Sequence, residues 1–387
     1  MASPTTSIPP LVEPSQSSSG TRLARYSRQL LLPGFGDTAQ RRLQAARVLV
    51  VGAGGLGSAA IPYLASAGIG TIGIADADTV ELSNLHRQTA HSMRDIGRLK
   101  VDSLAETIAA IDPDIVVNRL PVRLSSANIL GILADYDLIV DGSDNFPTRY
   151  LSNDAAAIAG KPLVWGAILR YSGQAGVAWA GHGPTYRDLF PEPPAADEVL
   201  SCELGGVLPG VCAAIGAILS TEVVKVITGV GQPLLGRVTT YDALTGRYRE
   251  IEYQAIDDAD PITELIDYEQ FCGVVRDDAA THGLSAVDVH ELAQRMRDGS
   301  PMQLIDVREP AEVAITVLPG AEPIPLGQLE ASEALVRDDI PVVVYCHHDS
   351  RSVQAASLLQ RLGHANVSYL VGGIDAFADA DPGLVRY

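Results

Sequence analysis

Two clusters of residues in this chain could carry group-transfer chemistry. The first is Gly52-Ala53-Gly54-Gly55-Leu56-Gly57, which follows the apolar run Val48–Val51. A G-x-G-x-x-G between a strand and a helix turns backbone N–H groups toward phosphate at the helix N-terminus. Asp76 lies about twenty positions further on, where an acidic side chain takes ribose hydroxyls. On the loop alone, an NAD-dependent oxidoreductase is the simplest reading. The residues after Asp76 shift it. Asn84 and Arg87 add an amide and a guanidinium, and Lys100 follows. A triphosphate needs such cations, because charge develops on its oxygens during transfer. Asp144, in Asp141-Gly142-Ser143-Asp144-Asn145, ends another apolar run. A carboxylate there suits Mg²⁺ bridged to phosphates, or else it caps the helix that follows.

The second cluster is Cys346-His347-His348-Asp349-Ser350-Arg351-Ser352, after the apolar Val342–Tyr345. A thiol between a strand and a helix start meets backbone N–H groups that stabilise an anion, and Arg351 adds positive charge. The spacing is one residue too short for a phosphatase loop, so the pattern favours sulfur over phosphate. Asp349 is expected to oppose the ionised sulfur by its charge. Of the other three cysteines, Cys202 has polar and glycine-rich flanks. It is either a reachable thiol or a structural one. Cys212 sits in an apolar helix, and Cys272 has no evident chemical partner.

These residues need elements to hold them. Ala46–Val51, Thr71–Ala75, 115–118 and 137–140 are short apolar strands separated by helical stretches such as 58–67. That alternation predicts an α/β fold, a doubly wound Rossmann-like sheet. Pro162–Ile168, Ala175–Trp179 and a hairpin over 237–241 and 247–253 extend it, with Pro184–Pro194 a loop and Val211–Ile227 a helix. A small second α/β module is expected from Leu284. Ser285 caps a helix over 286–298, 303–307 and 341–345 are strands, and 350–362 is a helix. The expected division is a disordered tail over 1–20, a nucleotide domain over 21–255, an acidic linker over 256–283 and the second module over 284–387.

Composition bounds the partners. A net charge of -19 argues against nucleic acid. The most apolar stretch, 205–219, is broken by Pro209 and followed by Glu222 and Lys225, so a buried helix is expected rather than a membrane span. Four scattered cysteines and no N-terminal apolar segment suit reduced thiols in the cytoplasm.

Several segments in order resemble one family: Arg25-Tyr26-Ser27-Arg28-Gln29, the glycine loop, Asp76-Ala77-Asp78-Thr79-Val80, Ser83-Asn84-Leu85-His86-Arg87-Gln88 and Gly142-Ser143-Asp144-Asn145. They look like the MoeB/ThiF adenylating enzymes for ubiquitin-like sulfur carriers, relatives of ubiquitin-activating enzymes. The C-terminal module resembles a rhodanese domain through Leu304-Ile305-Asp306-Val307-Arg308-Glu309, Leu318-Pro319-Gly320 and Leu370-Val371-Gly372-Gly373. The combination is similar to MoeZ-type adenylyltransferase/sulfurtransferases.

The resemblance implies ATP at Gly52, Gly54, Gly55 and Gly57, ribose on Asp76, phosphates on Arg87 and Lys100, Mg²⁺ at Asp144, and Asn84 as a further nucleotide-binding residue. It implies that Arg28 reaches the site of a partner subunit in a homodimer. It implies a carrier protein ending in Gly-Gly, and thiosulfate or a cysteine desulfurase persulfide as sulfur donor. Cys346 would carry the persulfide, and Cys202 would form a transient disulfide with the carrier. The sulfur could feed molybdopterin, thiamine, cysteine or a secondary metabolite. Relatives often hold zinc with two Cys pairs. Thr185, Asp188, Thr263 and Ile266 stand there, so no zinc site is expected.

Overall fold

The computed structural model describes residues 8–16, 20–194, 205–257, 260–272, 284–381 and 383–385. Contacts divide the chain into two compact units on either side of residues 274 and 275.

The first unit is built on an eight-stranded sheet of order β3-β2-β1-β4-β5-β6-β7-β8. The strands are β1 (Arg47–Val51), β2 (Thr71–Ala75), β3 (Val116–Leu120), β4 (Leu138–Asp141), β5 (Leu163–Leu169), β6 (Ser172–Ala178), β7 (Arg237–Asp242) and β8 (Arg247–Glu252). From β3 to β5 all pairing is parallel, and from β5 to β8 it is antiparallel. β1 and β4 carry apolar, β-branched runs because helices cover both of their faces. One face buries Val48, Val50, Ile72 and Val140, and the other Leu49, Val51, Ile139 and Trp165. β1 pairs β2 on one side and β4 on the other, so the strand order reverses there. In open α/β sheets, ligands bind at the carboxyl ends of the strands at such a point.

Helix Pro209–Thr228 opens with proline at its first turn and closes on Gly229 in the left-handed conformation. It is the one helix among the described residues long and apolar enough to cross a bilayer. Its side chains Val211, Ile215, Leu219, Val223 and Val226 instead join the core under the sheet.

Three parts of the first unit differ from the sequence expectation. Residues 8–16, within the stretch read as a disordered tail, pack against the unit. Leu11 donates its N–H to the Val226 carbonyl, and Arg41 donates to the Ser15 carbonyl at 2.8 Å. The stretch read as a linker contains helix Tyr268–Phe271, and Tyr268 and Cys272 are buried in the core. The Tyr268 hydroxyl donates to Asp154 Oδ2 at 2.7 Å. Arg187 forks onto the same carboxylate at 2.8 and 2.7 Å and lies over the rings of Tyr150 and Phe271. A through-space cluster thus binds an acidic segment whose composition alone suggests a linker. Within Pro184–Pro194, expected as a loop, Tyr186–Leu189 is a short helix.

The second unit is a five-stranded parallel sheet of order β11-β10-β12-β13-β9. Its strands are β9 (Ser285–Val287), β10 (Gln303–Asp306), β11 (Glu322–Pro323), β12 (Val342–Tyr345) and β13 (Val367–Leu370). Ser285 is therefore not a helix cap. It starts an edge strand paired with β13, and Asp288 caps helix Val289–Arg297 by accepting from Glu291 N–H at 2.8 Å.

Asp154→Ala leaves the Arg187 guanidinium and the Tyr268 hydroxyl without their shared acceptor. It should destabilise the first unit by about 3 kcal/mol, read by urea unfolding of the full chain. An unchanged midpoint would show that the 260–272 segment is not an integral part of the unit.

Candidate functional site

The glycine loop leaves the carboxyl end of β1 and enters helix Gly55–Ala67, so Gly55 and Gly57 stand in its first turn. A Cβ on Gly57 would lie 1.8 Å from the Gly52 carbonyl oxygen, so no other residue fits without moving the loop. Asp76 directly follows β2 and fixes the loop from the side. Its Oδ2 accepts from Ala53 N–H at 2.7 Å and its Oδ1 from Asp78 N–H at 2.8 Å. Burial raises the Asp76 carboxyl above its ordinary value, and Lys100 pulls it back. Behind the loop, the buried His91 faces Ser103 Oγ at 2.8 Å through Nδ1 and the Ala53 carbonyl at 3.2 Å through Nε2. These partners assign the proton to Nε2. Burial lowers the His91 imidazole, which keeps it neutral in this role.

Lys100 begins helix Lys100–Ile111 and is 7% exposed. Its ammonium donates to Asp78 Oδ2 at 2.9 Å. Arg87 donates to the Ser83 carbonyl at 3.1 Å, and Asn84 is buried beside it. Across the sheet, the loop after β4 brings Asp144. It is not the helix cap. Asn145 caps helix Phe146–Ile158 by accepting from Thr148 N–H at 2.9 Å, and the exposed Asp144 carboxylate is left to the site.

These groups line one cavity of about 350 Å³. Gly52, Gly54, Gly55, Asp76, Asn84, Arg87, Lys100 and Asp144 all contribute to its wall, so the structure brings together what the sequence scattered over 93 positions. Gly57 stands behind the wall and sets the loop's approach. Arg28 does not line it. It lies exposed on helix Ser27–Leu30. Cys202 lies outside the described residues. Sequence reasoning passed over three contributors. Asp78 pairs with Lys100, His91 supports the loop, and Gln88 lines the cavity with its buried Oε1 lacking a partner among the described residues. The second acid in Asp76-Ala77-Asp78 was the only available signal.

The donor set suits Mg²⁺ held largely by substrate. The described residues include no cluster of three or more His, Cys, Asp or Glu, and Asp144 offers one hard oxygen ligand. Thr185 and Asp188 form a reciprocal helix cap, with Thr185 N–H and Oγ1 donating to Asp188 Oδ2 at 2.6 and 2.8 Å.

In the second unit, Cys346 directly follows β12 and is 2% exposed. Its thiol lies 3.5 Å from Ser352 Oγ, on helix Ser350–Arg361. Arg351 forks onto Glu312 at 2.6 and 2.7 Å. The entry strand β10 is anchored by a buried Arg308–Asp306 pair, in which Arg308 also donates to the Thr316 carbonyl. Asp349 has a partner that the sequence did not suggest. Its Oδ1 accepts from Gly372 N–H at 2.6 Å.

Comparison with known proteins decides the family. The ThiF family model matches residues 26–261, and the rhodanese-like domain model matches 288–380. The chain belongs to the ThiF family. A probable adenylyltransferase/sulfurtransferase MoeZ of Mycobacterium tuberculosis is 47% identical over 99% of this chain and 100% of that one. A sulfur carrier protein adenylyltransferase of Thermus thermophilus is 45% identical over 65% of this chain and 97% of its own length. Among solved structures, PaaA is 25% identical, with a TM-score of 0.54 over 62% of this chain and 76% of that one. The fold of E. coli MccB, solved with ATP, is also similar. It is 20% identical, with a TM-score of 0.54 over 62% of this chain and 74% of that one. This member of the ThiF family also carries a rhodanese-like unit.

Gly57→Ala forces the loop away from Gly52 and should abolish ATP binding while the chain stays folded, as read by calorimetric titration with ATP. Binding within a few-fold of the natural chain would show that the loop tolerates a Cβ there.

Proposed function

We propose that this chain adenylates the C-terminal carboxylate of a small ubiquitin-like sulfur carrier ending in Gly-Gly, then sulfurates it from a Cys346 persulfide. The observation that carries the reading is the convergence of the glycine loop, Asp76, Arg87, Lys100 and Asp144 on one cavity. A second cavity of about 420 Å³ adjoins it and shares Ser143, Asp144 and Ile168. It runs over β5 to β8 past Gln174, Tyr241 and Arg249 and suits an extended chain end. A tail in one cavity and ATP in the other would meet beside Asp144.

The chemistry asks little of a base, because a carboxylate is already a nucleophile. One carrier oxygen attacks the α-phosphorus of ATP, the bond to the β-phosphate breaks, and pyrophosphate leaves. Gly54 and Gly55 bring backbone N–H groups to the phosphates. Arg87 and Lys100 offset the charge that grows on them, and Asp76 orients the ribose. Asp144 would hold Mg²⁺, which when bound neutralises phosphate charge. The terminal sulfur of the Cys346 persulfide then attacks the acyl-adenylate and AMP leaves, giving an acyl disulfide. A thiol, for which Cys202 is the candidate, cleaves the S–S bond and frees the thiocarboxylate. The resulting protein disulfide returns to thiols at the expense of an external thiol reductant.

The sulfur donor is thiosulfate or a protein persulfide. Because Arg28 is exposed and outside its own chain's cavity, a homodimer in which it completes the partner's site fits the family pattern. Scattered cysteines fit a cytoplasmic setting.

Lys100→Ala or Asp144→Ala should lower carrier-dependent pyrophosphate exchange about a hundredfold, the scale of losing one transition-state charge partner. Thiosulfate sulfurtransfer should persist in both variants. Undiminished exchange would mean that the nucleotide lies elsewhere.

Cys346→Ala should have the reverse profile, with exchange intact and sulfurtransfer gone. Loss of both activities in a folded variant would refute the division of labour, and hydride transfer without exchange would favour an oxidoreductase.

A further inference from the structure

The loop carrying Cys346 contains a carboxylate that sulfur transfer does not call for. Asp349 occupies the cap position before helix Ser350–Arg361, with φ -127° and ψ -36°, yet its side chain makes no bond to that helix. An aspartate there ordinarily accepts from its own helix's first-turn N–H groups. Here Oδ1 accepts instead from Gly372 N–H, 23 residues away in sequence and 2.6 Å in space.

The contact is one of several between the same two segments. Ile374 N–H donates to the Cys346 carbonyl at 2.9 Å, and Asp375 N–H donates to the His347 carbonyl at 3.1 Å. Gly373, with φ +61°, lies so close that a Cβ would fall 2.3–2.6 Å from the carbonyl oxygens of His348, His347 and Cys346. On the other side, Ser352 Oγ donates to the Asp349 carbonyl at 2.9 Å and meets the Cys346 thiol at 3.5 Å. The loop is therefore stitched at its start and middle by backbone bonds to the first turn of helix Gly373–Ala380, which the Gly372–Gly373 pair opens. At its end it is held by one side chain.

Resting on the assignment of Cys346 as the sulfur carrier, we infer that Asp349 is a positioning residue whose carboxylate latches the Cys346 loop to the Gly372–Gly373 turn. The latch has two effects. It fixes the loop where it enters the helix, and it draws the carboxylate away from the first-turn N–H groups. An aspartate capping its own helix would place negative charge where an anionic sulfur needs positive potential. The other charged and titratable groups about the loop are Glu312 and Arg351, which pair, His348, 4.0 Å from Asp375, and His347. Burial, then the neighbouring His348, lowers the His347 imidazole, so it adds no cation at neutral pH.

The latch and a simple charge effect predict opposite results. The full-length chain is compared with Asp349→Ala, Asp349→Gly and Asp349→Asn. Thiosulfate sulfurtransfer is measured, together with the rate of Cys346 alkylation against pH, followed on the Cys346 peptide by mass spectrometry. Asn retains an oxygen that accepts from Gly372 N–H but carries no charge. Ala and Gly should lower sulfurtransfer about tenfold, the scale of losing a hydrogen bond to a charged group. Asn should recover most of that rate with the alkylation midpoint unmoved. A Gly variant faster than the natural chain would overturn the latch. So would an Asn variant as slow as Ala with its alkylation midpoint displaced toward acid. If the natural chain moves no sulfur at all, the assignment of Cys346 fails separately, and the alkylation series still decides the role of Asp349.

Discussion

At the carboxyl ends of β1 and β4 two backbones run almost in contact, and the cavity at the glycine loop depends on it. Gly142 donates its N–H to the Val51 carbonyl, and a Cβ on Gly52 would come within 3.0 Å of the Gly142 oxygen. Gly57 closes the same knot from the helix side. Because these three residues lack side chains, the phosphate loop and the Asp144 loop can face one cavity from adjacent strands. Larger side chains would push the loops apart and separate the cations from the carboxylate.

The two units hold their reactive groups by different means. In the first, side chains buttress a glycine backbone from outside the cavity. Asp76 grips Ala53 N–H while His91 grips the Ala53 carbonyl, so both polar ends of one peptide region are tied down. The loop keeps its shape without contacts that would occupy the space for phosphate. In the second, the Cys346 loop is held mainly by its own carbonyls and the amides of Ile374 and Asp375, just after the Gly372–Gly373 pair. A thiol that must be reached by other molecules is thereby fixed from below.

How much of this the sequence revealed follows from the range of each interaction. β1, β2 and β4 were legible because strands buried on both faces must be continuously apolar, a local property. The cavity residues were legible because each lies just beyond such a strand or in a motif the family resemblance picks out. Ser285 was misleading because serine suits a cap, whereas pairing of Ala286 and Val287 with β13 is a tertiary fact. Asp288, three residues on, is an equally good cap and is the one used. The 260–272 segment looked like a tether because its composition is acidic. Its anchor, Asp154 with Arg187 and Tyr268, is drawn from three distant places. Asp144 and Asn145 could not be told apart as caps from type alone, and Asp349 looked like a neighbour of the thiol because it is one in sequence.

The pairing of Lys100 with Asp78 has a consequence for how nucleotide enters. The Lys100 side chain is 9% exposed and that of Asp78 is 70% exposed. The ammonium therefore already has an anionic partner, and that partner can swing into water at little cost in solvation. A phosphate arriving at Lys100 substitutes for a carboxylate instead of stripping a hydrated cation. Entry resembles ion exchange on a resin: the bound counter-charge leaves as the incoming one settles. If nucleotide binds there as proposed, uncharged nucleosides would have nothing to exchange, and the pocket would discriminate for phosphorylated ligands before any bond is made or broken.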